Sequence, residues 1–187
     1  MPNLHVIIAS TRPGRAGLPI GTWFHAFARQ HGKFEAKLVD LAAASLPLLD
    51  EPKHPRLGQY EKEHTKAWSA TIDAADAFVF VTPEYNYSAP PALLNAIDYL
   101  HREWLYKPCA FVSYGGLAGG ARSVAVTKQI VTALKMMPMF ESVTIAMFTQ
   151  NLKDGVFTPT EAHEKAATVM LDELLRWTDA LRPLRGR

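Results

Sequence analysis

Apolar runs alternate with helical patterns from one end of this chain to the other. Leu4 to Ala9 is short, β-rich and nearly all apolar, the pattern of a parallel strand covered on both faces. Ile20, Trp23, Phe24, Phe27 and Ala28 then recur at helical spacing, and Gly32 closes that helix. Phe34 to Asp40 alternates as a second strand. A loop holding Pro47, Pro52 and Pro55 follows, then a helix expected from about Gln59 to Ala75 and a strand from Ala77 to Val81. The helix after Pro91 carries Leu94, Ile97 and Leu100 on one side. Pro108 to Ser113 reads as a fourth strand, ending in a glycine-rich turn from Tyr114 to Gly120. A helix from about Ala121 to Leu134 turns Val124, Val131 and Leu134 inward, and Ser142 to Met147 is the fifth strand. The last helix starts at Thr160, its cap, with Glu161 and Glu164 in the first turn. Ala166, Val169, Met170, Leu174, Trp177 and Leu181 form its apolar stripe.

Five strands alternating with five helices argue an α/β fold with a parallel sheet. The chain has 187 residues, 48% of them hydrophobic, which suits one compact domain over residues 1–187 with a full core. No linker, repeat or low-complexity segment interrupts it. The net charge is +2, and basic residues group only at Arg12/Arg15 and at Arg182, Arg185 and Arg187. That is no footprint for nucleic acid, and the terminal group reads as a frayed end. The single cysteine, Cys109, excludes an internal disulfide, fits a reducing compartment, and reads as a buried, inert thiol. Met1 to His5 lacks the basic region of a signal peptide, and no apolar run is long enough to span a membrane. The expectation is a cytoplasmic protein. The seven histidines show no zinc spacing, and His25 and His31 read as surface or packed side chains.

Two loops carry the chemistry. Open α/β sheets bind ligands at the carboxyl ends of strands where the strand order reverses; in the order 2-1-3-4-5 that lies between the loops after strands one and three. The first loop is Ser10-Thr11-Arg12-Pro13-Gly14-Arg15-Ala16-Gly17. It supplies two hydroxyls, two guanidiniums and the free N–H groups of a helix start, all of which a phosphate dianion wants. Gly14 and Gly17 allow close approach of the backbone. It is neither a dinucleotide fingerprint nor an NTPase loop. A simpler reading is that Ser10 or Thr11 only caps the helix. The second loop, Thr82 to Pro91, contains three prolines and is stiff. Glu84, Tyr85, Asn86 and Tyr87 sit where a flat polar ring edge, such as an isoalloxazine, would seek partners. The alternative is a turn that merely joins strand to helix. Trp104 and Tyr106 either pack the core or form a subunit contact with Tyr87 and Asp98.

Together the first loop and Thr82-Pro83-Glu84-Tyr85-Asn86-Tyr87-Ser88-Ala89-Pro90, continuing through Leu94-Asn95-Ala96-Ile97-Asp98, resemble the NADPH-dependent FMN reductase family, with its azoreductase, quinone reductase and chromate-reducing relatives. The resemblance implies a flavodoxin-like fold, bound FMN, NADPH or NADH as cosubstrate, and a homodimer or homotetramer. Carried over by position, it assigns Ser10, Thr11, Arg12, Arg15 and Gly17 to the phosphate end. It assigns Pro83, Glu84, Tyr85 and Asn86 to the ring and ribityl chain, and Ser113, Gly115 and Gly116 to the ring's border. Ala9 departs from the glycine common before the loop's serine. The implied reaction passes hydride from NAD(P)H to flavin and then electrons to a small-molecule acceptor, by a ping-pong route without a metal. No side chain is nominated as acid or base, and Tyr85 is the residue expected to touch substrate. A flavodoxin-type electron carrier is the rival reading, although such carriers favour a Thr/Ser-rich loop and an acidic surface. A flavin-free scaffold is the other.

Overall fold

A computed structural model describes residues 1–186 and contains one five-stranded parallel sheet in the order β2-β1-β3-β4-β5. The elements run β1 (Asn3–Ile8), α1 (Gly17–His31), β2 (Glu35–Asp40), α2 (Leu41–Ala44), α3 (Glu63–Asp73), β3 (Ala77–Pro83), α4 (Pro91–Asp98), β4 (Pro108–Tyr114), α5 (Ala121–Ala133) and β5 (Met137–Ile145). A two-stranded hairpin, β6 (Leu152–Lys153) and β7 (Val156–Phe157), precedes α6 (Glu161–Leu181). The sheet is the expected flavodoxin-like one, with β1 at the reversal of strand order.

Strand side chains alternate between two cores, as a period of two requires. On one face Ile7, Phe78, Phe80 and Phe111 pack against Trp68 and Ile72 of α3, Leu93 and Ile97 of α4, and Val124 and Val131 of α5. On the other, Leu4, Val6, Val79, Val81 and Val112 meet Ile20, Phe24 and Ala28 of α1 and Met170, Leu171 and Leu174 of α6. Trp104 is fully buried and crosses Phe78 edge-on at 5.0 Å, which makes it a core residue. Cys109 is buried, and burial pushes its thiol well above the ordinary range.

Several boundaries differ from those expected. α3 starts at Glu63 because the Glu51 carboxylate accepts the N–H groups of Glu61 and Lys62, each at 2.9 Å, outside the helix. β5 begins at Met137, where Pro138 is tolerated on a sheet edge and the pairing with β4 shifts between Cys109 and Phe111. It ends at Ile145, short of Met147, whose φ of 47° turns the chain. The last helix is capped by Thr160 as expected, but His163 completes the reciprocal cap: Thr160 N–H donates to its Nδ1 at 3.2 Å. Val169 points to solvent, and Leu171 and Thr178 take its place in the buried stripe. Leu94 is half-buried, and Leu93 fills the core. The C-terminal turn is docked rather than frayed: Arg185 donates to Asp76 at 2.8 Å and to the Thr178 carbonyl at 3.2 Å. Arg187 lies outside the described residues.

Candidate functional site

The loop after β1 is set by its flanks. Ala9 N–H continues the ladder onto the Val81 carbonyl at 3.0 Å, Arg15 N–H closes a turn on the Arg12 carbonyl at 3.1 Å, and Gly14 sits at φ 70° inside that turn. α1 then starts at Gly17 without a side-chain cap, so neither Ser10 nor Thr11 satisfies its first amides. Gly17 is buried, and a Cβ there would stand 2.6 Å from the Tyr114 hydroxyl. A side chain at that position is disfavoured by the phenol, not by the backbone angles.

The loop after β3 is a tight reversal. Tyr85 and Ser88 exchange backbone hydrogen bonds at 2.9 Å in both directions, with Asn86 at φ 49° and Tyr87 at φ 66° between them. Two consecutive positive φ values are what a type I′ turn needs, and tyrosine is a strained choice for the second. Glu84 N–H donates to the Tyr114 carbonyl at 3.3 Å, tying this loop to the end of β4.

Between these loops lies a cleft of 290 Å³. Of the residues that the resemblance assigns to the cofactor, Ser10, Arg12, Arg15, Pro83, Glu84, Tyr85, Gly115 and Gly116 line it. Four do not. Thr11 is exposed and borders a neighbouring hollow with Leu41, Ala42 and Asn95. Gly17 lies beneath the wall, and Asn86 is exposed at the tip of the turn. Ser113 is fully buried and donates to the Gly119 carbonyl at 2.8 Å, so its hydroxyl shapes the glycine turn rather than the cleft. Tyr114, Phe148 and Leu152 also line the cleft. Tyr114 stood at the start of a suspected turn, but Phe148 and Leu152 sit in a 3₁₀ turn and a two-residue strand that leave no periodic signal.

The polar groups are unevenly committed. Arg12 is exposed. Arg15 pairs with Asp40, yet its Nε is buried without a hydrogen-bond partner. Asp40 is itself fixed by accepting the Ala42 N–H at 3.0 Å. Ser10 Oγ and the Tyr85 hydroxyl are hydrogen-bonded at 2.9 Å, bridging the two loops. Burial lifts the Tyr114 phenol above its ordinary range, so it stays a neutral donor. Glu84, expected to serve a ligand, is occupied: its carboxylate accepts Arg122 Nε at 2.6 Å and the Arg122 N–H at 3.2 Å. The lining residues therefore include cations, hydroxyls and glycines, but no histidine and no uncommitted carboxylate to act as acid or base. Such a lining suits an anion and offers no side chain for acid–base chemistry.

The sequence profile of the NADPH-dependent FMN reductase family matches residues 2–150. An NAD(P)H-dependent FMN reductase of Schizosaccharomyces pombe is 42% identical over 137 residues, spanning 72% of this chain and 68% of that protein. One from Nectria is 33% identical over 142 residues, 73% of this chain and 71% of its own length. Among solved structures, the NAD(P)H:(acceptor) oxidoreductase FerB of Paracoccus denitrificans superposes with a TM-score of 0.76 at 23% identity, covering 96% of this chain and 98% of that one. That likeness carries the fold, and the matches in sequence carry the family. The chain belongs to the NADPH-dependent FMN reductase family.

Proposed function

We propose that this chain is an FMN-dependent NAD(P)H oxidoreductase in which the nicotinamide and a small electron acceptor use the cleft in turn, a ping-pong cycle. When bound, the flavin supplies the redox chemistry, taking hydride from the nicotinamide and returning electrons to the acceptor. The acceptor is a quinone, an azo compound, chromate or free flavin. Single copies of this chain are proposed to assemble as a homodimer or homotetramer, residues 1–187 acting as one flavin-binding domain in the cytoplasm.

One observation carries the reading. Arg15, whose Nε is buried without a partner of its own, lines the same cleft as Arg12, Ser10 and Ala16 at the start of α1. An orphaned guanidinium N–H beside unfilled helix amides fits a phosphate monoester, which would accept from both. At the other end, Gly115 and Gly116 form a low wall; a Cβ on Gly116 would meet nothing within 4 Å, leaving room for a flat ring. The chain's residues then divide the work. Arg12, Arg15 and Ser10 hold the phosphate. Pro83 and Tyr85 border the ring edge, and Gly115 and Gly116 admit its face. Tyr85, half-buried beside the opening, contacts the incoming substrate. The Tyr114 phenol keeps a neutral donor near the phosphate without adding charge.

Two measurements test this. FMN is expected to bind at least about 100-fold more tightly than riboflavin, since two charge-assisted bonds are lost with the phosphate. Equal affinities remove the phosphate assignment. Initial rates with NADPH and a quinone, varied against each other, are expected to give parallel double-reciprocal lines. Intersecting lines exclude the ping-pong cycle, and FMN binding without turnover indicates an electron carrier.

A further inference from the structure

One cluster stands at the edge of the cleft: Glu84, which lines it, with Arg122 and Tyr87, contributed by the loop after β3 and the first turn of α5. Glu84 is nearly buried, its side chain only 9% exposed. Its carboxylate grips Arg122 through Nε, through a terminal nitrogen and through the backbone N–H at the start of α5. The guanidinium carbon of Arg122 lies 3.8 Å from the centre of the Tyr87 ring, stacked on its face. Tyr87 is otherwise 68% exposed and is held at φ 66°.

A large aromatic residue in that backbone region is unfavourable unless its surroundings hold it. Asn-Gly is the sequence that forms such a turn unaided, and this chain has Asn86-Tyr87. The stacking contact supplies what glycine would have supplied by conformation. Its fixed end is well founded, because Glu84 is tied to β4 through the Tyr114 carbonyl and caps α5 at the same time. The turn it secures ends in Tyr85, whose hydroxyl reaches Ser10 in the opposite loop.

We propose that Arg122 is a positioning residue: pinned by Glu84 and stacked on Tyr87, it clamps the strained Tyr85–Ser88 turn and so holds Tyr85 in the cleft wall. The functional consequence rests on the flavin reading given above; the clamp itself does not. Arg122 does not line the cleft, and it takes no part in the reaction.

The test uses the full chain and three variants: Arg122→Ala, Tyr87→Gly and the double substitution. Amide hydrogen exchange at Tyr85 and Ser88 is measured without flavin, and FMN affinity is measured separately by quenching of flavin fluorescence. Arg122→Ala is expected to speed exchange at both amides by about 10-fold, with the core strands unchanged, and to weaken FMN binding by a similar factor. Adding Tyr87→Gly to Arg122→Ala is expected to restore slow exchange and FMN affinity together, because glycine forms the turn without help. Unchanged exchange in Arg122→Ala overturns the clamp. So does a double variant as fast-exchanging as Arg122→Ala, since a general loosening of α5 gives glycine nothing to rescue. If the unsubstituted chain takes up no FMN, the flavin reading fails, and the exchange data still decide the clamp.

Discussion

Gly17→Ala is a small change with a defined consequence. At the start of a helix alanine ordinarily gains up to about 1 kcal/mol over glycine. Here the added Cβ would stand 2.6 Å from the Tyr114 hydroxyl, 3.3 Å from Ile8 Cγ2 and 3.4 Å from Ser10 Cβ. Tyr114 has little freedom to yield: it is buried and packs edge-on against Phe148 with ring centres 5.5 Å apart. Overpacking of this kind costs about 1–3 kcal/mol, which exceeds the helical gain. The expected net destabilisation is about 1 kcal/mol, a fall in Tm of roughly 2–4 °C for a chain of this size. The cleft is expected to suffer more than the fold, with FMN affinity down about 10-fold, because the displaced phenol pushes on the wall that Ser10 and Tyr85 share. Urea midpoints and fluorescence titration with FMN measure the two effects. Tyr114→Phe removes the atom that the new Cβ meets, so the double variant is expected to recover part of the loss, with a coupling of about 1 kcal/mol. A Gly17→Ala protein that is more stable than the parent and binds FMN as well would refute the steric account of this wall.

Arg12→Ala is expected to weaken FMN binding by about 1–3 kcal/mol and leave riboflavin binding nearly unchanged, as the loss of a charge-assisted phosphate contact requires; equal losses for both ligands would contradict the assignment. His5 is buried at the far end of β1, and desolvation, then the charges of Lys37 and Lys107, lower its pKa from 6.5 to about 4, against a weak opposing pull from Asp76. Its folded form therefore refuses the proton that the unfolded chain accepts, so stability is intact above pH 6.5 and falls as pH drops toward 4, by about 2–3 kcal/mol in total. His5→Leu is expected to flatten that part of the acid limb in urea melts taken across the window, and an unchanged slope counts against it. Cys109, buried beside Phe78 and Phe111 on the inner strands, is expected to react with a thiol reagent only as fast as the protein unfolds; labelling of the native protein within minutes would be inconsistent with its burial.

The inner strands were readable because they are apolar on both faces, and the strand order was that of the flavodoxin-like fold which the resemblance implies. Ala77–Val81 has no period, but its short length and its valine and phenylalanine content mark a buried strand, and the sheet has the order expected. The boundaries that moved did so for tertiary reasons. Gln59 and Tyr60 were expected to open the helix, but Glu51, far back in the proline loop, captures the amides after them, and Tyr60 donates to the buried Glu103 at 3.0 Å. The hairpin at Asp154-Gly155 carried a recognisable turn dipeptide, yet its strands are two residues long and show no alternation. At the cleft, residue types were informative and side-chain commitments were not. Serine and arginine in the first loop pointed to an anion, but nothing local indicates that Arg15 leans on Asp40 or that Glu84 turns away to Arg122. The resemblance set Ser113 at the ring's border; its hydroxyl is instead engaged by the Gly119 carbonyl. Partners distant in sequence decide which polar groups remain for a ligand, and a single sequence carries no record of them.

The central claim is that NAD(P)H reduces a flavin held in this cleft. The direct test is anaerobic addition of NADPH to the purified protein reconstituted with FMN, following the absorbance of the bound flavin. Rapid bleaching, reversed by adding a quinone, is the predicted result. Flavin that binds and stays oxidised would contradict the nicotinamide half of the claim, and a protein that takes up no FMN would contradict all of it.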